Sequence, residues 1–191
     1  MAKVYVFLAR GFEDVEALIP VDVLRRGGVD VTTVSIDSED HVVESAHGVQ
    51  MIADATFTEC EAGLPCADLL LLPGGMPGAS NLYSHEGLRE ALKRHAAAGR
   101  RLAAICAAPA VVLGQMGLLQ GRRATCYPGF EHLLAGAAYT ADLVTTDGSI
   151  TTAEGPAAAF PFAYELLALL TDRAASEQIA EGMRYKHLMA G

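Results

Sequence analysis

Hydrophobic positions along the chain alternate between short continuous runs and segments where they recur every three or four residues. Residues 4–8 form a β-rich apolar run. From Glu13 onward, Val15, Leu18, Ile19, Val23 and Leu24 take up helical spacing, until Gly27 and Gly28 stop it. Residues 29–36, rich in Val, Thr, Ser and Ile, read as the next strand. The first 36 residues therefore predict a parallel, right-handed strand, helix, strand unit, and the fold class is α/β. Residues 42–43 and 49–52 flank a glycine-containing bend at 45–48 and predict a side hairpin. The run 68–72 is too short for a helix and is closed by Pro73-Gly74-Gly75, so it predicts a central buried strand.

In the second half, residues 84–98 predict an exposed helix, capped by Ser84, stopped by Gly99 and carrying only surface charge. Residues 102–105 predict a buried strand, and Ala107 to Leu113, with Pro109 in the first turn, a helix start. Residues 121–125 read as a short strand, 127–130 as a turn, and 143–146 with 150–153 as a hairpin around Asp147-Gly148. Glu154-Gly155-Pro156 opens a helix through Leu170, and a last helix spans about 172–183. With no linker, repeat or low-complexity tract, a single domain over 1–191 is expected.

Composition narrows the function classes. At 191 residues and 51% hydrophobic positions, such a chain buries roughly 70% of its unfolded surface and needs no staple to fold. The formal net charge is −9, from 23 acidic and 14 basic residues, so neither nucleic acid nor an anionic membrane surface is an expected partner. No apolar run approaches the ~20 residues of a membrane span, and the amino terminus lacks the pattern of a secretory peptide. Cys60, Cys66, Cys106 and Cys126 form no C-x-x-C pair and have no histidine at zinc-finger spacing. They read as reduced thiols of a cytoplasmic protein without a metal site.

The chemistry gathers at Cys106, on the corner between the 102–105 strand and the following helix. Such a corner places the first free backbone N–H groups of a helix beside the thiol, where they and the helix dipole favour a thiolate. On this stretch alone the commoner reading of such a cysteine is a small buried hydrophobe closing a core strand. In an open α/β sheet the reactive crevice lies at the carboxyl ends of the central strands. The segments expected there are 9–16, 73–78, Cys106 with Ala107, and 126–130. Residues 73–79 carry three glycines and form either an anion-binding concavity or a tight turn. Glu16 shares a helix face with Ile19, Pro20 and Val23. Spacing alone favours a water-facing edge residue; if Glu16 instead lies beside Cys106, the two acids share one proton, with a carboxylic acid donating to a thiolate.

Gly11-Phe12-Glu13-Asp14-Val15-Glu16, Ile19-Pro20-Val21-Asp22-Val23-Leu24-Arg25-Arg26, Leu72-Pro73-Gly74-Gly75, Ala103-Ala104-Ile105-Cys106-Ala107 and Glu154-Gly155-Pro156, in that order, resemble the DJ/ThiJ/PfpI superfamily. Within it, the chain is most similar to the branch of the Parkinson-disease deglycase and bacterial YajL. The resemblance runs from about residue 3 to residue 170. It implies a flavodoxin-like three-layer sandwich with a mostly parallel sheet, and a homodimer. It makes Cys106 the oxidisable nucleophile, with a protonated Glu16 hydrogen-bonded to its sulfur and an oxyanion pocket formed by the backbone N–H groups of Gly75 and Ala107. The activities it implies need no cofactor: glutathione-independent conversion of α-oxoaldehydes, repair of glycation adducts on protein side chains, and redox-regulated chaperone behaviour under oxidative stress.

The sequence departs from that pattern at three places. Tyr127 stands where the human-type branch has a histidine suited to shuttling protons. Ala107 stands where the protease-like members have one, which removes the general base for peptide hydrolysis. His47 replaces an arginine of the human-type branch and is either an accessory residue reaching a partner's site or an exposed loop residue. His41, His85, His95, His132 and His187 are expected on the surface, and Cys60 and Cys66 as modifiable surface thiols. Two readings follow: a cysteine-dependent enzyme acting on α-oxoaldehydes or their adducts, and an oxidative-stress sensor or chaperone that uses Cys106 oxidation without turnover.

Overall fold

The computed structural model describes residues 1–37 and 39–189. Its chain runs β1 (Lys3–Leu8), α1 (Asp14–Arg26), β2 (Asp30–Ser35), β3 (Val42–Glu44), β4 (Gln50–Ile52), β5 (Ala55–Thr56), α2 (Phe57–Cys60) and β6 (Leu69–Leu72). It continues with α3 (Gly78–Ser84), α4 (Glu86–Ala97), β7 (Arg101–Ile105), β8 (Arg123–Ala124), β9 (Ala138–Tyr139), β10 (Val144–Asp147) and β11 (Ile150–Ala153), and ends in α5 (Ala159–Leu170), α6 (Arg173–Gly182) and α7 (Tyr185–Met189). The main sheet has the order β10-β11-β7-β6-β1-β2-β5, and only the β10–β11 pair is antiparallel. Helices cover both faces, so the architecture is the flavodoxin-like α/β sandwich, and β3–β4 and β8–β9 form two small extra sheets.

The continuous apolar runs are the strands buried on both faces. Every residue of β6 is buried, as are Leu102 to Ile105 of β7 and Val4 to Leu8 of β1. The helices carry one apolar stripe each. In α1 it is Ala17, Pro20, Val21 and Leu24, and this helix packs on α5. Because β1, β6 and β7 are parallel neighbours, the segments that leave their carboxyl ends meet on one edge of the sheet.

Several expectations are corrected. Ser84 ends α3, its hydroxyl donating to the Ser80 carbonyl, and the cap of α4 is His85, whose Nδ1 accepts from the Leu88 N–H at 2.9 Å. His95 is not on the surface: it is 3% exposed, because the short 3-10 segment Glu61–Cys66 packs across α4. Cys60 is likewise buried, and Cys66 is exposed as expected. The residues after Pro109 form a π-type coil, with Gln115 N–H reaching the Ala110 carbonyl five residues back, rather than a regular α-helix. In the 144–153 hairpin, Asp147 pairs with Ile150, so the turn is Gly148-Ser149.

Candidate active site

β7 ends at Ile105, and Cys106 turns the chain with φ at +65°, a left-handed conformation that costs a non-glycine residue on the order of 1 kcal/mol or more. Two backbone hydrogen bonds hold it there. The Cys106 N–H donates to the Ala153 carbonyl at the end of β11 (2.9 Å), and the Cys106 carbonyl accepts from the Tyr127 N–H (2.8 Å). Small neighbours make the corner possible: Ala103, Ala104, Ala107 and Ala108 are all buried. The cysteine itself is 8% exposed.

Glu16 reaches this corner from the first turn of α1. Glu13 caps the helix, its carboxylate accepting from the Glu16 N–H at 2.9 Å. Glu16 therefore starts one turn inside, and its side chain points inward and is wholly buried, so it is the core residue and not the water-facing edge residue that spacing favoured. Its Oε2 accepts from the Gly74 N–H at 2.9 Å. Among the described residues its buried Oε1 has no hydrogen-bond partner, and the carboxyl and the Cys106 thiol are near enough to shift each other's titration. The loop after β6 fits only because it lacks side chains. A Cβ on Gly74 would lie 2.6 Å from Glu16 Oε2 and 2.7 Å from Cys106 Cβ; one on Gly75, whose φ is +86°, would lie 2.5 Å from the Glu13 nitrogen.

Electrostatics make Glu16 and Cys106 a coupled pair. Burial raises the Glu16 carboxyl to about 7, against the lowering effects of Cys106 and the Gly74 N–H. Burial, and then the Glu16 charge, push the Cys106 thiol up to about 12, and the N–H groups of Gly75 and Ala107 pointing at the sulfur offset only part of this. The expected net lowering of the thiol by helix N–H groups is thus reversed. Between those two values the pair holds one proton. Cys60 and Cys126 are also raised by burial, to about 11 and about 12. What sets Cys106 apart is the buried carboxyl and the two amides, not an acidic thiol.

Tyr127 lies at this corner, bonded through its backbone, and the residue is 45% exposed. His47 does not reach the cysteine of its own chain: it is exposed, and its Nδ1 pairs with Asp14 Oδ2 at 2.6 Å. Glu13, Asp14 and His47 bring one metal-type ligand atom each within 4.8 Å of one another. All three are already engaged, Glu13 with the helix cap and the other two with each other. Sequence reasoning did not find Gly74 as the partner of Glu16, nor Ala153 as the anchor of Cys106. The Pro73-Gly74-Gly75 run was the available signal for the first, and the second needed the β7–β11 pairing.

Residues 2–169 match the family model described as the DJ-1/PfpI family. The chain is 38% identical over 179 residues to protein DJ-1 homolog B of Arabidopsis thaliana, covering 93% of this chain but 40% of that protein. It spans about two fifths of the length of the Arabidopsis relatives it matches. It is 33% identical to the Parkinson disease protein 7 homolog of Danio rerio, over 93% of this chain and 94% of that one. A relative from Caenorhabditis elegans, named as a glutathione-independent glyoxalase, is 31% identical over 83% of this chain and 82% of its own. Among solved structures, oxidised DJ-1 of Toxoplasma gondii superposes with a TM-score of 0.91 at 36% identity, covering 96% of this chain and 98% of that one. Fold, segment order and identity agree, and the chain belongs to the DJ-1/PfpI family.

Proposed function

We propose that the chain is a cysteine-dependent enzyme, acting without glutathione on reactive α-oxoaldehydes or the glycation adducts they form. The observation that carries this reading is one buried sulfur, on a strained corner, faced by a buried carboxyl and two backbone amides. The C. elegans relative's name agrees with it.

With methylglyoxal the chemistry balances without an outside oxidant or a cofactor. The shared proton moves to Glu16 and the Cys106 thiolate adds to the aldehyde carbon, its C=O electron pair passing to oxygen. The amides of Gly75 and Ala107 hold that oxyanion until Glu16 protonates it. Glu16 then takes the C1 hydrogen as a proton and returns it to C2, while the C1 hydroxyl proton passes to the C2 oxygen through the enediol, which leaves a lactoyl thioester on Cys106. Water cleaves the thioester, and lactate and the thiol are released. The aldehyde carbon is oxidised as the ketone carbon is reduced, so methylglyoxal plus water gives lactate.

The test is lactate formation from methylglyoxal without glutathione, comparing native protein with an equally folded Cys106→Ser variant. Turnover that vanishes in the variant supports the reading, and no turnover in either overturns it. A second reading is favoured by the same amides and carboxyl, which suit the oxygens of a cysteine sulfinate: a sensor or chaperone whose Cys106 takes two oxygens from peroxide. Its sign is a stable gain of two oxygens at Cys106 in a protein that makes no lactate. A homodimer, carried over from the family resemblance, is the assembly assumed for both readings, and light scattering at working concentration tests it.

A further inference from the structure

Three hydrogen bonds close a ring around the buried carboxyl. The Glu16 N–H donates to the Glu13 carboxylate at 2.9 Å, the Gly74 N–H donates to Glu16 Oε2 at 2.9 Å, and the Glu13 N–H donates to the Gly74 carbonyl at 3.0 Å. Each residue gives its N–H to one neighbour and an oxygen to the other, so the start of α1, the Glu16 side chain and the loop after β6 hold one another in place. That loop has no slack, because a Cβ on Gly75 would also lie 2.6 Å from the Gly11 carbonyl oxygen. Glu13 brings to the ring a charge that capping does not require, since Ser, Thr or Asn caps a helix as well. The residue is half-buried, where a charge is weakly screened and acts strongly on a neighbouring acid. It adds to the effect of burial in raising Glu16. The other titratable group facing Glu16 is Cys106, from the corner after β7. On the same helix Asp14 is paired with His47. The helix α5 packs along α1, and its titratable residues, Tyr164 and Glu165, turn to Met183 and Arg173.

We propose that Glu13 is a positioning residue of the Cys106 site: its carboxylate orients the first turn of α1, and its charge favours the carboxylic acid form of Glu16. A protonated Glu16 has a proton to give to the oxyanion and no charge to oppose a thiolate at Cys106. The proposal deepens the enzyme reading and rests on it for the use of that proton in turnover. The place of the proton is itself measured without turnover.

Carbon-13 nuclear magnetic resonance follows the Glu16 carboxyl carbon against pH in protein labelled at its glutamate carboxyls, the signal being assigned by its loss in Glu16→Gln. Two pairs are compared, native with Glu13→Gln and Glu13→Asp with Glu13→Asn. Within each pair size and capping oxygen are kept and only the charge changes, and Asp and Asn are both favoured caps. The neutral member of each pair is expected to titrate lower at Glu16 by roughly half a pH unit or more. Equal midpoints within either pair overturn the proposal and leave Glu13 a helix cap alone. Lactate formation, read beside the titrations, separates this inference from the reading it rests on. Lower midpoints in a protein that makes no lactate keep the role of Glu13 and lose the enzyme; lactate formation with equal midpoints does the reverse.

Discussion

Gly74 and Glu16 stand 58 positions apart in the chain, and the Gly74 N–H holds Oε2 of the wholly buried Glu16 at 2.9 Å. That bond fixes one oxygen and leaves the other for the sulfur. Half of the carboxyl is structural and half is available for proton transfer.

Replacing Glu16 with Gln keeps an acceptor for Gly74 but removes the charge beside Cys106. The thiol is then expected to titrate below its present position near 12, because the carboxylate no longer opposes the thiolate. The rate of alkylation by iodoacetamide against pH reads this directly. Lactate formation should fall by about 100- to 10,000-fold, the usual range for losing a general acid–base group. An unchanged alkylation profile would break the pairing.

The same carboxyl makes stability depend on pH. Its pKa in the fold, about 7, is above the ordinary value of 4.5, so the folded state binds the proton more tightly. The contribution is complete below pH 4.5 and is lost as pH rises through about 7. The loss amounts to roughly 3 kcal/mol across that window. Urea unfolding at pH 5 and pH 8 should show the native protein losing stability over this interval by more than Glu16→Gln does.

Gly74→Ala should be costly although it adds one methyl group. The new Cβ meets a carboxyl oxygen, the Cys106 Cβ and the Ile105 carbonyl, all under 3 Å, and two of the three cannot move without shifting backbone. A loss of about 1–3 kcal/mol is expected, which lowers the melting temperature by roughly 2–12 °C for a chain of this length. Scanning calorimetry checks it. A melting temperature equal to the native value would mean that the loop relaxes freely.

At position 106 the usual ranking of alanine over glycine should invert. Cys106 holds φ at +65°, a region that glycine enters without strain and alanine does not. Cys106→Gly should therefore match or exceed Cys106→Ala in stability, by up to about 1 kcal/mol. The two variants in one denaturant series settle the point, and a clearly less stable glycine variant would show that the corner carries no strain.

Much of this site can be read without coordinates. Cys106 stands out because an apolar run gives way at that point to small residues and Pro109, and Pro73-Gly74-Gly75 marks a loop in which the backbone must approach something closely. Glu16 was ambiguous because helix spacing alone places it near the edge of the apolar stripe; only the arrival of Gly74 and Cys106 from distant strands makes that edge interior. His95 and Cys60 were misplaced for a related reason. Each lies in a polar stretch, and its burial comes from a segment packing across it rather than from its own pattern. The acidity of the Cys106 thiol was misjudged because the helix N–H groups are visible in a sequence and the desolvation opposing them is not.

The two backbone bonds that pin Cys106 come from Ala153 and Tyr127, both later in the chain. During synthesis the cysteine emerges before either anchor exists. Until the last strand of the sheet has been made and has docked beside β7, position 106 is an ordinary flexible thiol with no fixed orientation toward Glu16. Docking of the segments that carry Tyr127 and Ala153 is what fixes its backbone.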